Sequence, residues 1–432
     1  MFSGDAQQAD PDDVLPDPVR FKVFDGLDHP MGGVTVTFYV PIGGGRVPSE
    51  SVVTDSTGIV QTIWTMGPFG GAQTLEARVN GIVRATATAT TCDPDECFPE
   101  ERLSSNLSDA RLLLLSTYDS SGQTVHPDVV RGHWQTTGYW MAVTPYPGGD
   151  ATHENPSIFH SRTSANWDVP PGVTNPLSRP AGSGYFSDPD IVVDTDHSLW
   201  LYFRSVINGQ NIINVLRSPD GVHWDAGTAV VAVGSHKLVS PAVVRGAPHG
   251  PWQMWSVNAG PIGCSAPTTT IERRQSNDGL NWSKPTDVSL EQPGQSIWHI
   301  DVQWIPARSE YWAIYNTYPA GTSCNTNALY LARSPDGINW TVYPSPIVRA
   351  GLIDAFKHVI YRSTFFTDAK ATRITLWLSG AQYSTSAGYV WRTAAVATRF
   401  SDLIAIASTP TTAISAPPFR RDLPPPEPDI GH

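Results

Sequence analysis

The chain has 432 residues, of which 40% are hydrophobic and 16% charged, so it is long enough for two or three domains with sizeable cores. Its formal net charge of −12 argues against nucleic acid or an anionic membrane as a partner, because both require a basic surface. No apolar run reaches the roughly 18 residues of a membrane span. The 36 glycines and 38 prolines favour an all-β protein with many turns.

The N-terminus and the cysteines bear on the cellular location. Residues 1–14 read as an N-terminal extension and show no secretory signal, which fits a trimmed secreted protein or one packaged in a virion. Four cysteines allow three pairings. Cys92 and Cys97 could close a small loop, and Cys264 and Cys324 occupy similar places in neighbouring repeats and could join them. Such pairing is typical of an extracellular protein, whereas a zinc site would need tighter Cys/His clusters.

Residues 15–91 form a separate β module with alternating apolar and polar runs and short turns. The pattern V-x-D-x-x-x-x-P-x-x-G-V-x-V-x-F from Val23 to Phe38 is followed by Thr54-Asp55-x-x-Gly58 and Trp64-Thr65. This pattern resembles the bacterial Ig-like domains of invasin and intimin. The resemblance implies an Ig-like β-sandwich that serves as a spacer, or as a mount for attachment to a surface or particle. Residues 92–108 are rich in proline and acid and read as a linker.

A repeated unit dominates the rest of the chain. The signature Ser-x-Asp-Gly-x-x-Trp ends at Trp224, Trp282 and Trp340, and a degenerate copy ends at Trp167, giving intervals of 57, 58 and 58 residues. Five aromatic runs occur upstream, beginning at Gly138, Ser198, Pro251, Glu310 and Thr375. A period of about 50–60 residues with several short strands is typical of propeller blades. We therefore predict a five-bladed β-propeller over residues 109–410 and a Pro-rich tail over 411–432.

The repeated residues have structural explanations. Asp220, Asp278 and Asp336 each precede a glycine between two strands, as a tight turn requires, so they are predicted turn residues. The four repeated tryptophans are predicted to pack between blades. The run Arg111–Ser116 is expected to complete the last blade, as the first strand often does in a closed propeller.

The innermost strands carry the chemistry. They are predicted at Val125–Val130, Ser187–Val193, Val239–Val244, Trp298–Trp304 and Phe356–Ser363. They would bring His126, Asp128, Asp188, Asp190, Ser240, His299, Asp301, Lys357, His358, Tyr361 and Arg362 to one channel mouth. Because a buried unpaired carboxylate costs several kcal/mol, these side chains favour a polar site open to solvent.

Asp-Pro and His-Pro-Asp at the start of the first two inner strands resemble the propeller glycosidases of glycoside hydrolase families 43, 62, 32 and 130. The resemblance implies that Asp128 is the general base, that Asp190 or Asp188 tunes the pKa of its partner, and that His358 holds a channel ion. The third strand, VSPAVV, lacks the acid of family 43. Glu154, in a loop that does not repeat, or Asp301 could replace it. Glu272 reads instead as an ion-paired surface residue.

Two functions follow from this pattern. The first is a glycoside hydrolase acting on an extracellular polysaccharide, with Asp128, Asp190, Glu154 and Asp301 as candidate acids and bases. The substrate would be bound by His126, Asp188, His299, Lys357, Tyr361, Arg362 and Trp298. The aromatic residues Tyr146, Tyr185, Trp298 and Tyr318 would either stack on sugar rings or pack between blades. No cofactor is required, although Ca²⁺ could bind Asp128, Asp190, Asp301 and an inner histidine. The second function is a non-catalytic glycan-binding or structural surface protein.

Overall fold

The computed structural model describes residues 2–9, 14–41, 44–67, 71–91, 103–132, 138–161, 166–196, 198–245 and 250–409. The predicted Cys92–Cys97 pair and the tail at 411–432 lie outside these residues. The chain divides into two compact units, residues 1–100 and 101–432. Both are built from β-strands, which confirms the all-β prediction.

The described residues of the first unit form seven strands in two sheets. They are β1 (Gln7–Ala9), β2 (Val19–Lys22), β3 (Thr35–Tyr39), β4 (Ser51–Val53), β5 (Ile59–Thr62), β6 (Gly71–Val79) and β7 (Ile82–Thr91). One sheet has the order β1-β7-β6-β3-β4, and the other pairs β2 with β5. Inward-facing residues of both sheets, including Phe21, Phe38 and Trp64, form one core.

Part of the predicted N-terminal extension belongs to this unit. Strand β1 pairs in parallel with β7, with Gln7 opposite Ala89. The Asp5 carboxylate also accepts hydrogen bonds from the amide and hydroxyl of Thr88, at 2.7 and 3.0 Å. The sequence of β1 is polar, so it carries no hydrophobic period, and backbone pairing alone makes it a strand.

The second unit contains 21 described strands. They are β8 (Arg111–Leu112), β9 (Thr124–Gly132), β10 (Gly138–Pro145), β11 (Ser157–Ser161), β12 (Tyr185–Val193), β13 (Leu199–Ile207), β14 (Gln210–Ser218), β15 (Thr228–Val233), β16 (Leu238–Val244), β17 (Trp252–Asn258), β18 (Thr270–Ser276), β19 (Thr286–Asp287), β20 (Gln295–Ile305), β21 (Glu310–Pro319), β22 (Ala328–Ser334), β23 (Thr341–Val342), β24 (Val348–Arg349), β25 (Val359–Ile360), β26 (Thr364–Thr367), β27 (Arg373–Ser384) and β28 (Gly388–Arg399). Helix α1 (Phe400–Ser408) follows, and short 3₁₀ helices lie at Leu107–Asp109, Ala151–His153, Gly263–Ser265, Pro306–Arg308 and Asp354–Phe356.

These strands form five antiparallel sheets in chain order: β9–β11, β12–β15, β16–β19, β20–β24, and β25–β28 with β8. The early strand β8 pairs with the last strand β28, with Arg111 opposite Ala395, so the prediction for this run is confirmed. The predicted fifth inner strand is wrong as a continuous element. Of the predicted run Phe356–Ser363, only β25 is a strand, because a 3₁₀ helix ends at Phe356 and β26 begins after Ser363.

Each Asp-Gly turn connects the third and fourth strands of its sheet and packs against the preceding sheet. In one of them Asp278 Oδ1 accepts hydrogen bonds from the Leu280 and Asn281 amides, which confirms its role as a turn residue. The next residue, Gly279, lies against Trp200 and Tyr202 of the preceding sheet, and the Tyr202 hydroxyl donates to its carbonyl at 2.9 Å. The following turn repeats this arrangement, because Trp255 Nε1 donates to the carbonyl of Gly337 at 2.8 Å.

Cys264 and Cys324 form a disulfide, as predicted, between residues that follow β17 and β21 in neighbouring sheets. In the part of the chain that the structure describes, no helix is both long and apolar enough to cross a membrane.

Candidate functional site

The first strands of three sheets, β9, β12 and β16, share an unusual backbone. His126, Asp188 and Ser240 each precede a proline and adopt positive φ values of 57°, 51° and 54°. At each of these positions the pairing register shifts, which marks a β-bulge. Such a backbone is uncommon for residues with a side chain and recurs at functional sites. Two levels of polar residues result, one at the bulges and one two residues later.

The first level, here called the histidine–aspartate group, contains His126, Asp188 and His299. All three side chains are fully buried. His126 Nε2 lies 3.3 Å from Asp188 Oδ1, and His299 Nδ1 lies 3.5 Å from the same oxygen. The Tyr361 ring packs beside both histidines, with centroids 5.1 and 4.5 Å away. Residues from three different sheets therefore converge on one carboxylate oxygen.

Neighbouring residues hold the other side of this group. Asp188 Oδ2 accepts hydrogen bonds from Arg204 Nη1 and from the Ser240 amide, both at 3.1 Å. Arg204 is held in turn by Asn211 Oδ1 at 2.8 Å. His126 Nδ1 lies 3.1 Å from Thr144 Oγ1. These contacts leave Asp188 Oδ1 and His126 Nε2 turned towards each other.

Burial controls the charge of this group. It lowers the pKa of His126 to about 3 and the pKa of His299 well below the ordinary histidine value, so both rings are neutral near pH 7. Burial acts to raise the pKa of Asp188, but the two histidines and Arg204 outweigh it, so the net pKa is lowered. The group therefore combines two neutral imidazoles with one carboxylate.

The second level, here called the aspartate group, contains Asp128, Asp190 and Asp301. Asp128 Oδ2 accepts from the Ile191 amide at 2.6 Å, and Asp190 Oδ2 accepts from the Val243 amide at 2.9 Å. Arg362 Nη2 donates to Asp190 Oδ1 at 2.9 Å. The same guanidinium donates to the carbonyls of Pro189 and Pro241, at 2.5 and 3.1 Å. Thr364 Oγ1 lies 3.0 Å from both Asp128 Oδ1 and Asp301 Oδ2.

These acids resist ionisation. Burial raises the pKa of Asp128, and burial together with the Asp128 carboxylate raises the pKa of Asp190 well above its ordinary value. The same two causes raise the pKa of Asp301 to about 7. One arginine facing three carboxyl groups cannot balance three negative charges, so at least one of the acids carries a proton near neutrality.

The predicted open mouth is wrong for these acids. Asp128, Asp190 and Asp301 are only 2%, 2% and 1% exposed, because Arg362 and Thr364 fill the space between them. Asp128 and Asp190 do line a cavity of about 270 Å³ together with residues that follow them, such as Ile191 and Trp304. This cavity therefore lies on the side where the strands end, away from the histidine–aspartate group.

Several predicted site residues lie elsewhere or have other roles. Lys357 is exposed and His358 is partly buried, and the His358 Nδ1 atom accepts a hydrogen bond from the Tyr383 amide at 2.8 Å. His358 belongs to neither group of candidate metal ligands, and His126 and His299 occupy the place expected for it. Trp298 is buried beside the His299 ring, so it packs in the core and is not a surface for sugar stacking.

The other three aromatic residues considered for stacking, Tyr146, Tyr185 and Tyr318, are buried as well, in agreement with the packing alternative. Glu154 is buried next to the start of β12, where its carbonyl accepts from the Phe186 amide at 2.9 Å. Glu272 is ion-paired with Arg274 at 2.5 Å as expected, but it is buried and not on the surface.

The sequence did contain a signal for the two levels. Three inner strands repeat a pair two residues apart, namely His126 and Asp128, Asp188 and Asp190, and His299 and Asp301. Equal spacing on equivalent strands places the first members of each pair together and the second members together. Arg204 and Thr144 were missed because they lie on second strands, which read as packing elements.

The two groups differ in their fit to a metal ion. His126 Nε2 and Asp188 Oδ1 are buried and have no hydrogen-bond partner among the described residues. Asp188 Oδ1 lies 3.3 Å from His126 Nε2 and 3.5 Å from His299 Nδ1, close to the ligand–ligand spacing of about 3.3–3.5 Å around a tetrahedral ion with bonds near 2.0–2.1 Å. The aspartate group has its oxygens engaged by amides, Thr364 and Arg362, so the guanidinium takes the place that Ca²⁺ would need.

Comparison with known proteins adds a fold relationship. No family model matches the chain. It is 27% identical over 315 residues to an A type blood N-acetyl-α-D-galactosamine deacetylase of Flavonifractor plautii, in a match that covers 61% of this chain and 41% of that protein. The crystal structure of an N-acetylgalactosamine deacetylase from F. plautii in complex with blood group B trisaccharide has a TM-score of 0.65 at 24% identity, covering 70% of this chain and 98% of that one. This chain shares that fold.

Other solved structures are less similar. A GH62 hydrolase in complex with xylotriose has a TM-score of 0.49 at 12% identity, covering 67% of this chain and 95% of that one. A thermostable family-43 glycoside hydrolase has a TM-score of 0.48 at 11% identity, covering 64% of this chain and 89% of that one. The chain spans less than half the length of the curated relative that it matches.

Proposed function

We propose that this protein is a glycan-acting hydrolase that removes the N-acetyl group of an amino sugar with a divalent metal ion held by His126, Asp188 and His299. The observation that carries the proposal is the convergence of His126 Nε2, Asp188 Oδ1 and His299 Nδ1 from three sheets. Two imidazoles and one carboxylate are a ligand set of hydrolytic zinc sites. The similarity to a deacetylase that acts on N-acetylgalactosamine favours amide hydrolysis over other reactions.

When bound, a divalent ion polarises a carbonyl group and makes water a stronger nucleophile. The residues of the chain set the conditions for this chemistry. Burial keeps His126 and His299 neutral, so that each offers a nitrogen lone pair. Arg204 holds Asp188 ionised and fixes its orientation. In the overall reaction the amide C–N bond breaks, the carbonyl carbon gains the oxygen of water, and acetate and the free amine leave.

Glu154 is the proposed proton carrier in this reaction. Its carbonyl accepts a hydrogen bond from the amide of Phe186, which lies two residues before Asp188 on β12. Its side chain is buried, and the surrounding loop does not repeat in the other sheets. A carboxyl group in such a setting can pass a proton from water to the departing amine.

The test measures metal content and both reaction products. Metal-depleted protein reloaded with Zn²⁺, Mn²⁺, Co²⁺ or Ca²⁺ is incubated with oligosaccharides that end in N-acetylgalactosamine or N-acetylglucosamine, and acetate and new reducing ends are quantified. We expect acetate only, with loss of at least about 100-fold in His299→Gln and no change in His153→Gln, which alters an exposed histidine. The proposed ligands His126, Asp188 and His299 are buried. Metal uptake therefore also tests whether an ion can reach them from solvent. Equal acetate release by His299→Gln, or no metal uptake, would refute the proposal.

Glycoside hydrolysis is the second candidate, favoured by one observation. Asp128 and Asp190 face the same cavity of about 270 Å³ and have raised pKa values, as a general acid needs. In this reading the aspartate group performs the acid/base chemistry, and Asp190→Asn abolishes release of reducing sugar from polysaccharides. Binding of glycans with neither acetate nor reducing sugar released would instead support a non-catalytic glycan-binding protein.

The proposal includes an architecture and a location. The five sheets of the second unit are interpreted as the blades of a five-bladed propeller, and residues 15–91 as an Ig-like β-sandwich that mounts it on a surface or particle. The Cys264–Cys324 disulfide favours an oxidising, extracellular environment, because cytosolic thiols are kept reduced.

A further inference from the structure

Thr144 is the residue of β10 that contacts His126. Its Oγ1 lies 3.1 Å from His126 Nδ1 and 3.4 Å from the carbonyl oxygen of Val125. Both Thr144 and His126 are fully buried. The contact occurs at the β-bulge, where the register between the strands shifts between Ala142 and Thr144.

A hydroxyl group donates one proton and accepts with its lone pairs. The carbonyl of Val125 can only accept, so both contacts of Thr144 Oγ1 are hydrogen bonds only when the Thr144 hydroxyl donates its proton to that carbonyl. Thr144 Oγ1 then faces His126 Nδ1 with a lone pair, and this pair makes a hydrogen bond only if Nδ1 carries the ring proton. The neutral ring has one proton, so Nε2 is left as the acceptor.

The opposite side of the ring agrees with this assignment. His126 Nε2 lies 3.3 Å from Asp188 Oδ1, yet no hydrogen bond of acceptable geometry forms between them. A proton on Nε2 would therefore have no aligned acceptor among the described residues. Two lone pairs at this distance repel each other, and a cation placed between them removes that repulsion.

We propose that Thr144 is a positioning residue that holds His126 in its Nδ1-protonated tautomer and so directs the Nε2 lone pair at the metal ion. This inference rests on the proposed function for the ion, whereas the tautomer itself does not depend on it. Partners of this kind, which act through a metal-binding histidine, typically change metal affinity by about 10–100-fold.

The first measurement follows the tautomer in metal-free protein. Nitrogen NMR of protein labelled with ¹⁵N-histidine distinguishes the protonated from the bare ring nitrogen, and His126→Gln assigns the signals. We expect a protonated Nδ1 in the wild type and in Thr144→Ser, which keeps the hydroxyl. In Thr144→Val, which has nearly the same shape without an acceptor, that preference is lost. A wild-type ring protonated at Nε2 would overturn the inference.

The second measurement is the affinity for Co²⁺, determined from its visible absorption and by competition with a chelator. Thr144→Val should weaken binding by about 10–100-fold, and Thr144→Ser should restore it. Thr393→Val serves as the control, because Thr393 is an equally buried threonine that bonds Thr124 instead. Unfolding of all variants in EDTA shows whether the fold is retained.

The outcomes separate the two proposals. If the wild type takes up no Co²⁺, the proposed function fails, and the NMR measurement still decides the role of Thr144. If the wild type binds Co²⁺ and Thr144→Val binds it equally well, the positioning role is refuted while the metal site stands. If Thr144→Val and Thr393→Val weaken binding alike, the effect of Thr144 is merely structural and the inference fails.

Discussion

At the scale of single residues, Thr364 and two buried aspartates share a proton. Thr364 Oγ1 lies 3.0 Å from a carboxylate oxygen of both Asp128 and Asp301 but has only one proton to donate. If it donates to one carboxylate, the other makes a hydrogen bond only when protonated. The raised pKa of about 7 for Asp301 agrees with a proton held there. A proton on Asp301 reduces the negative charge that the single arginine of the aspartate group, Arg362, has to balance.

Asp301→Asn tests this proton. An unfolded aspartate ionises near pH 4, whereas the folded Asp301 ionises near pH 7, so folding takes up a proton between these values. Its contribution to stability is present at low pH and falls as the pH rises towards 7. Asparagine cannot ionise, so Asp301→Asn should gain stability relative to the wild type as the pH rises from 4.5 to 8. Urea unfolding at several pH values measures this difference.

The comparison isolates Asp301 from other groups that titrate in this range. His126, with its lowered pKa, makes the fold more stable as the pH rises, but it does so in both proteins. The exposed Asp287 provides a control, since Asp287→Asn should show no such trend. A stability difference that stays constant from pH 4.5 to 8 would contradict the assignment.

Among the structural elements, the Asp-Gly turns are the contacts that repeat between sheets. Gly279 has φ of +71°, and a Cβ atom there would lie 2.8 Å from the Tyr202 hydroxyl and 2.9 Å from Trp200 of the preceding sheet. Gly279→Ala should therefore combine backbone strain with a steric clash. We expect a loss of about 2–4 kcal/mol in the free energy of unfolding, measured with urea.

Gly209 is a matched control for this turn. Its φ is +74°, and nothing lies within 4 Å of its Cβ position. Gly209→Ala should therefore cost only the backbone strain, about 1 kcal/mol. The difference between the two variants measures the contact between sheets. Equal losses would mean that the turn does not pack as described.

The extent to which the sequence predicts the structure differs between these elements and the site. The repeat at Trp224, Trp282 and Trp340 predicts the succession of sheets and the turns, because spacing and turn chemistry are local properties. The same pattern placed Asp190 on an inner strand correctly. It did not predict that Arg362, 172 residues away, would donate a hydrogen bond to an almost fully buried Asp190. Such contacts depend on how strands that are distant in the sequence are arranged in space.

The backbone at the bulges was equally hidden from sequence reading. A residue before proline is expected to be extended, yet His126 and Asp188 have positive φ. That conformation directs both side chains into the histidine–aspartate group, where His126 lies next to Asp188. The sequence had predicted that both residues would bind substrate. The role of the histidine as a candidate ligand therefore emerges only from the three-dimensional arrangement.

At the scale of the whole second unit, its first strand pairs with its last strand, an arrangement called closure below. Strand β8 adds to β28, and the Leu113 amide continues the pairing by donating to the Thr393 carbonyl at 2.9 Å. An unpaired β28 would leave an exposed sheet edge, which favours association between chains. Leu113 is 3% exposed, so its side chain anchors this closing segment in the core.

Adjacent leucines allow a direct test of closure. Leu113→Ala removes a buried side chain and should cost about 2–5 kcal/mol, whereas Leu114, which is 90% exposed, should tolerate alanine with little change. Urea unfolding measures the loss of stability, and light scattering measures association. If closure protects β28, Leu113→Ala should also associate at urea concentrations below its unfolding midpoint, while Leu114→Ala remains monodisperse. Similar behaviour of the two variants would show that the segment does not close the unit, because only Leu113 contacts its core.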